Sequence, residues 1–151
     1  MTWIIQAILS LIIAISFAII FNAPKEKLLA CGFVGMSGWM IFSVYSFISG
    51  DSIQASFAGA FSVALAAHIL SRRFKMPMIL FSVPGIILLV PGGLAYNAMR
   101  NIVENDYLTA ISFGSRAFMT SGAIAMGLVF AEVLMQLIFK YLKRTASHSN
   151  V

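Results

Sequence analysis

Trp3 to Phe21 is a run of nineteen residues without a charge, and further apolar blocks of the same length follow it along the chain. At 1.5 Å per residue such a block just spans a hydrocarbon core of roughly 30 Å. In lipid each backbone amide must be satisfied within its own segment, so repeated blocks of this length fold as α-helices and the chain as a helix bundle. Composition agrees: 60% of the 151 residues are hydrophobic and 10% are charged, where a soluble domain averages about 25% charged. The fold class expected is therefore all-α, a polytopic membrane helix bundle. Cys31 is the single cysteine, which excludes a disulfide scaffold, and the apolar excess excludes disorder. The pI near 9.7 does not make this a nucleic-acid binder, because the cations have another explanation below. A cleaved signal peptide is the alternative for the first block. No Lys or Arg precedes it and no small-x-small site follows it, so it reads as a retained helix.

Five spans are expected. The first is Trp3 to Phe21, and Asn22 to Lys27 is a polar turn with a proline breaker. Leu28 to Ile48 and Ser52 to Leu70 are the second and third, divided by Ser49-Gly50-Asp51. Ser71 to Lys75 forms a basic clamp. The fourth span begins at Met78 and is broken twice, at Pro84-Gly85 and at Pro91-Gly92-Gly93, before it reaches Arg100. Residues 101–115 read as a loop or a short interfacial helix, and Ala117 to Phe139 is the fifth span. A single transmembrane domain, 1–144, and a short cytoplasmic tail, 145–151, follow from these limits.

Short loops rich in Lys and Arg stay in the cytoplasm. Eight of the ten cations, Lys25, Lys27, Arg72, Arg73, Lys75, Lys140, Lys143 and Arg144, fall after spans one, three and five. Asp51, Glu104 and Asp106 fall on the other side, with Arg100 and Arg116. Five crossings, N-terminus outside and C-terminus inside, place every loop consistently. If the proline-broken segment were a re-entrant dip, the basic clamp and the basic tail would lie on opposite faces. The net charge of +5 is thus mostly a sidedness signal.

No phosphate loop or paired metal ligands are present, so no enzyme activity, metal or cofactor is expected. The candidates are polar and small residues inside lipid-length helices. Glu132, in the fifth span, has Gln136 and Lys140 on its face at four and eight residues, with Ser121 and Ala125 above. It is either an ion-coupling carboxylate or a structural hydrogen bond or snorkelling pair with Lys140. His68 ends a small-residue stripe, Ser52, Ser56, Ala60, Ala64; it is a coupling candidate whose alternative is an interfacial hydrogen bond. Gly32, Gly35 and Gly38 form a second packing stripe, and Cys31 reads as a small apolar residue.

The broken fourth span is the strongest local signal. A helix opened at membrane depth frees backbone groups and aims a positive helix terminus at a substrate, which suits a carboxylate. Pro84, Gly85, Pro91, Gly92 and Gly93 form the breaks; Gly92 and Gly93 are expected to take backbone angles closed to other residues and to approach the substrate. Tyr96 and Asn97 lie four and three residues before Arg100, whose guanidinium could grip a carboxylate in a fork. The alternative is a kinked packing helix with Arg100 anchored in the headgroup layer.

Phe74 to Arg100, FKMPMILFSVPGIILLVPGGLAYNAMR, resembles the threonine/serine exporter family, specifically the short half that some bacteria make as a separate small subunit. The core is Val83 to Gly92 followed by Tyr96; it departs from the family at Leu88, where many members carry a further proline. The resemblance implies gradient-driven export of small carboxylates across the inner membrane, threonine and serine in some members and succinate in a related two-subunit system. It also implies a longer membrane subunit as partner. Size points the same way, since five spans, one of them broken, hardly enclose a polar path and no internal repeat makes one half a copy of the other. The competing functions are a non-transporting membrane scaffold and a homo-oligomeric channel.

Overall fold

A computed structural model describes residues 2–148, with side chains to Tyr141. Six helices follow one another: α1 (Thr2–Ile20), α2 (Leu28–Ser49), α3 (Ser52–Phe74), α4 (Ile79–Ile86), α5 (Gly92–Val103) and α6 (Tyr107–His148), with 3-10 turns at Lys25–Lys27 and Ile87–Leu89. α1, α2, α3 and α6 are each long and apolar enough to cross a membrane, and α4 with α5 adds a fifth if the bent pair is one span. The bundle is all-α, as expected.

The turns follow from local chemistry. Gly50, at φ 69°, closes α2 with its N–H on the Ser46 carbonyl, and the Asp51 carboxylate accepts from the Ile53 amide at 2.9 Å to open α3. These two residues reverse the chain in the space of Ser49-Gly50-Asp51.

Small residues bring the helices together. A Cβ on Gly32 would come 2.7 Å from Ile15 Cγ1, and one on Gly35 or Gly38 would collide with Ala14 or Val63. The α2 stripe therefore holds α1 on one side and α3 on the other. Ser56, Ala60 and Ala64 of the α3 stripe are buried as expected. α6 lies along α3 so closely that a Cβ on Gly127 would stand 2.7 Å from the Phe57 carbonyl oxygen. The core gathers Ala18, Cys31, Val34, Ala60, Val63 and Phe81.

One end of the bundle is basic. Lys27 Nζ lies 4.0 Å from the centre of the Phe74 ring, and the Arg72 guanidinium covers the Phe139 ring. Trp3 meets Phe47 edge to face at the opposite end, where Arg116 and Gly50–Ile53 line one small cavity. α3 and α6 thus run parallel, and the intervening α4 and α5 carry the chain back from the basic end to the other.

Four boundaries differ from the sequence reading. α3 continues through Phe74, so Arg72 and Arg73 sit in its last turn beside the carbonyl end of the helix dipole. α4 runs unbroken through Pro84-Gly85. Residues 101–115 are neither a loop nor a short interfacial helix, since α5 extends to Val103 and α6 begins at Tyr107, ten residues before the expected start of the fifth span. The Asp106 carboxylate caps that start, accepting from the Thr109 amide at 3.2 Å. Of the segment 145–151 read as a tail, residues 149–151 lie outside the described residues.

Candidate functional site at the break in the fourth helix

Pro84 sits inside α4 because its defect is repaired from a neighbouring helix. Proline has no N–H to give the carbonyl four residues back, and that Leu80 carbonyl accepts from Cys31 Sγ at 3.3 Å instead. Gly85 is needed for contact: a Cβ there would lie 2.8 Å from Val63 Cγ1 and 3.0 Å from Val34 Cγ1. The two residues expected at the first break are buried packing elements.

The real break is at Val90-Pro91. Proline pushes the residue before it out of the helical region, and Val90 stands at φ −60°, ψ 130°. The axis bends by 47° between Ile79–Leu89 and Gly92–Val103. Leu89 packs on Gly59, seven residues past Ser52, which puts the break about 10 Å inside the Asp51 end.

α5 opens without a side-chain cap. The Gly92 amide donates to the Val90 carbonyl at 2.8 Å and the Ala95 amide to Pro91 at 3.1 Å, which leaves the Gly93 and Leu94 amides as the first-turn donors. Gly92 and Gly93 are exposed, and a Cβ on either would meet nothing within 4 Å. Their backbones are not closed to other residues, contrary to expectation; among the described glycines the left-handed φ belongs to Gly50 alone. What they provide is room beside an open helix N-terminus.

Arg100 is eight residues further on, about 12 Å along α5. It is exposed and pairs with Glu104, Nε to Oε1 2.8 Å. Tyr96, Met99, Arg100, Val103 and Glu104 line a shallow pocket of about 330 Å³. Asn97 is half-buried outside it, its carbonyl accepting from Asn101 Nδ2 at 2.7 Å. Tyr96 and Arg100 share a face as their spacing requires, but Asn97 does not join them. No molecule the size of an amino acid reaches both the α5 N-terminus and Arg100.

Glu132 faces outward. Its neighbours Ala131 and Met135 are buried, and Glu132 is exposed, with Gln136 Nε2 donating to Oε1 at 3.3 Å. Lys140, the alternative partner, forms no ion pair with it among the described residues. Seven residues separate Glu132 from Phe139, so the carboxylate lies about 10 Å inside the basic end, where an uncompensated charge costs roughly 3 kcal/mol. His68 is half-buried with Nδ1 3.2 Å from the Ala64 carbonyl. Among the described residues no hydrogen bond or ion pair joins the two candidates for ion coupling.

One cavity, of about 740 Å³, is an apolar groove bordered by Ile41, Tyr45, Phe57 and Phe61 with Gln54 and Ser62 as its polar members. It opens at the bundle surface away from the break and offers a charged ligand little. Sequence reasoning missed Cys31 as a hydrogen-bond donor, Gly127 as the α3 contact, and Asp106 as a cap. The Asp106-x-x-Thr109 spacing was a usable signal; for Cys31 none exists, because its partner is 49 residues away.

Residues 6–134 match the family described as Threonine/Serine exporter, ThrE. An uncharacterized protein of Haemophilus influenzae is 27% identical over 132 residues, covering 83% of this chain and 44% of its own length. A protein of Corynebacterium glutamicum named threonine/serine exporter is 24% identical over 119 residues, 79% of this chain and 24% of its own. The chain spans less than half the length of both relatives. No solved structure matches it. A match over most of the chain, carried on a bundle of membrane-length helices with a proline-opened fourth segment, makes the protein a multi-pass membrane member of the threonine/serine exporter family.

Proposed function

We propose that this chain is the small subunit of a secondary transporter that exports small carboxylates across the inner membrane, with the Pro91–Gly93 opening as the place where the carboxylate is held. The observation that carries the reading is the uncapped N-terminus of α5 beside two exposed glycines with open space around them, at the bend. Two free amides and the positive end of a helix dipole favour an anion there. Threonine and serine are the first substrates to try, given the name of the Corynebacterium relative; a dicarboxylate such as succinate fits the same donors. Pro84 and Gly85 shape the helix that leads to the opening, and Tyr96 and Arg100 line its outer mouth with Asn97 behind them. Glu132 and His68 serve ion coupling. Because five spans, one of them broken, hardly enclose a polar path, a longer membrane subunit supplies the remainder of it. The positive-inside distribution sets the N-terminus outside and the C-terminus in the cytoplasm.

Export from preloaded cells or vesicles, driven by a proton gradient, tests the reading. Gly92→Ala or Gly93→Ala adds one methyl group to the opening without any contact to strain, so the protein should assemble normally while export falls tenfold or more. Arg100→Lys, about 12 Å away and already paired, should lower export by less. Wild-type export in both glycine variants would remove the opening as the carboxylate site and leave a scaffold as the better description.

A further inference from the structure

α6 carries two seams of the same period, and its own chain fills one of them. Thr120, Ile124, Gly127 and Ala131 point inward and are buried. On the other side Phe118, Gly122, Ala125, Val129, Glu132 and Gln136 recur at spacings of four and three, and every one is exposed. That alternation is the heptad spacing of a helix that packs lengthwise against another. A Cβ on Gly122 would meet nothing within 4 Å, so small residues leave room for a second backbone.

We infer that this face docks a second copy of the chain, α6 against α6, around a two-fold axis along the membrane normal. Two copies with the same sidedness present their α6 helices in parallel, so each seam residue meets its own equivalent or the neighbour one turn away. Gly122 and Ala125 set the close approach. About two turns deeper, each copy offers one carboxylate and one amide four residues apart, a self-complementary pair: Gln136 of one copy donates to Glu132 of the other, and the reverse. Within a single chain Glu132 has one hydrogen bond, at 3.3 Å from Gln136, in a region where a lipid-facing carboxylate is unfavourable. The second copy replaces lipid with a donor. This pairing goes beyond the export reading and stands independently of it.

Single cysteines in a Cys31→Ser background test it by oxidation in native membranes. Gly122→Cys, Ala125→Cys and Val129→Cys should form disulfide-linked homodimers at least fivefold more than Met126→Cys and Leu137→Cys, which are equally exposed but off the seam. The purified wild-type chain alone in lipid nanodiscs, fluorescently labelled, should bleach in two steps, and Gly122→Leu in one. Uniform cross-linking at all five positions, cross-linking at none of them, or one-step bleaching of the wild type would overturn the pairing. Cross-linking of seam positions to a larger membrane protein instead would assign the face to that chain.

Discussion

Cys31 shows how a single side chain can hide a defect in a distant helix. Its thiol satisfies the Leu80 carbonyl that Pro84 leaves without a donor, so Cys31→Ala should lower stability by about 1–2 kcal/mol, as expected for an orphaned buried acceptor. Cys31→Ser, which keeps a donor, should hold; unfolding in mild detergent separates the two. Gly127 poses a steric version of the same test. Its Cβ would stand 2.7 Å from one backbone atom of α3 and 3.1 Å from another, whereas Gly122 has open space. Gly127→Ala should therefore lower the melting temperature of the monomer and Gly122→Ala should leave it unchanged. Glu132→Gln should leave the protein in the membrane and slow export or flatten its pH dependence, because the swap keeps the hydrogen bond and removes the titratable charge. Export that is unaltered in rate and pH dependence would return Glu132 to packing.

At the level of elements, the apolar blocks were readable because lipid enforces helices of fixed minimum length, and α1, α2 and α3 begin within a residue of the limits drawn from sequence. The fourth segment was readable only in part. Both Pro-Gly pairs look alike in sequence, yet Pro84 is absorbed by a thiol from α2 and Pro91 is not. Local pattern cannot contain that difference, since it depends on which helix stands opposite. The early start of α6 was legible in principle through Asp106. Hydrogen bonds from the Thr109 hydroxyl and amide hold the Asp106 carboxyl below its ordinary value of 3.8. A lowered value means that the cap's contribution is complete above the ordinary value and is lost as pH falls through the lower, folded one. Amide exchange at Thr109 and Ala110 should rise on acidification below that range, and Asp106→Ala should reproduce the effect at neutral pH.

Across the whole molecule, the parallel run of α3 and α6 ties the parts together. Arg116 lies with Asp51 at one end and Arg72 with Phe139 at the other, so α4 and α5 together must return the chain through the thickness of the bundle. That return places the Val90-Pro91 break between the two ends of the bundle, at the site proposed for the carboxylate. The loop cations call for five crossings from charge alone, and the bundle has that number if α4 and α5 are one span; the geometry of the site was not legible, because the separation of Arg100 from the α5 N-terminus depends on where the helix starts, and the charge count says nothing of it. The sidedness of Arg73 and Glu104, the exposed residues that flank the fourth segment, tests this most directly. In a Cys31→Ser background, Glu104→Cys should react with a membrane-impermeant maleimide added to intact cells, and Arg73→Cys only after permeabilisation. Reaction of both from the same side would make the broken pair a re-entrant dip and contradict the five-crossing exporter.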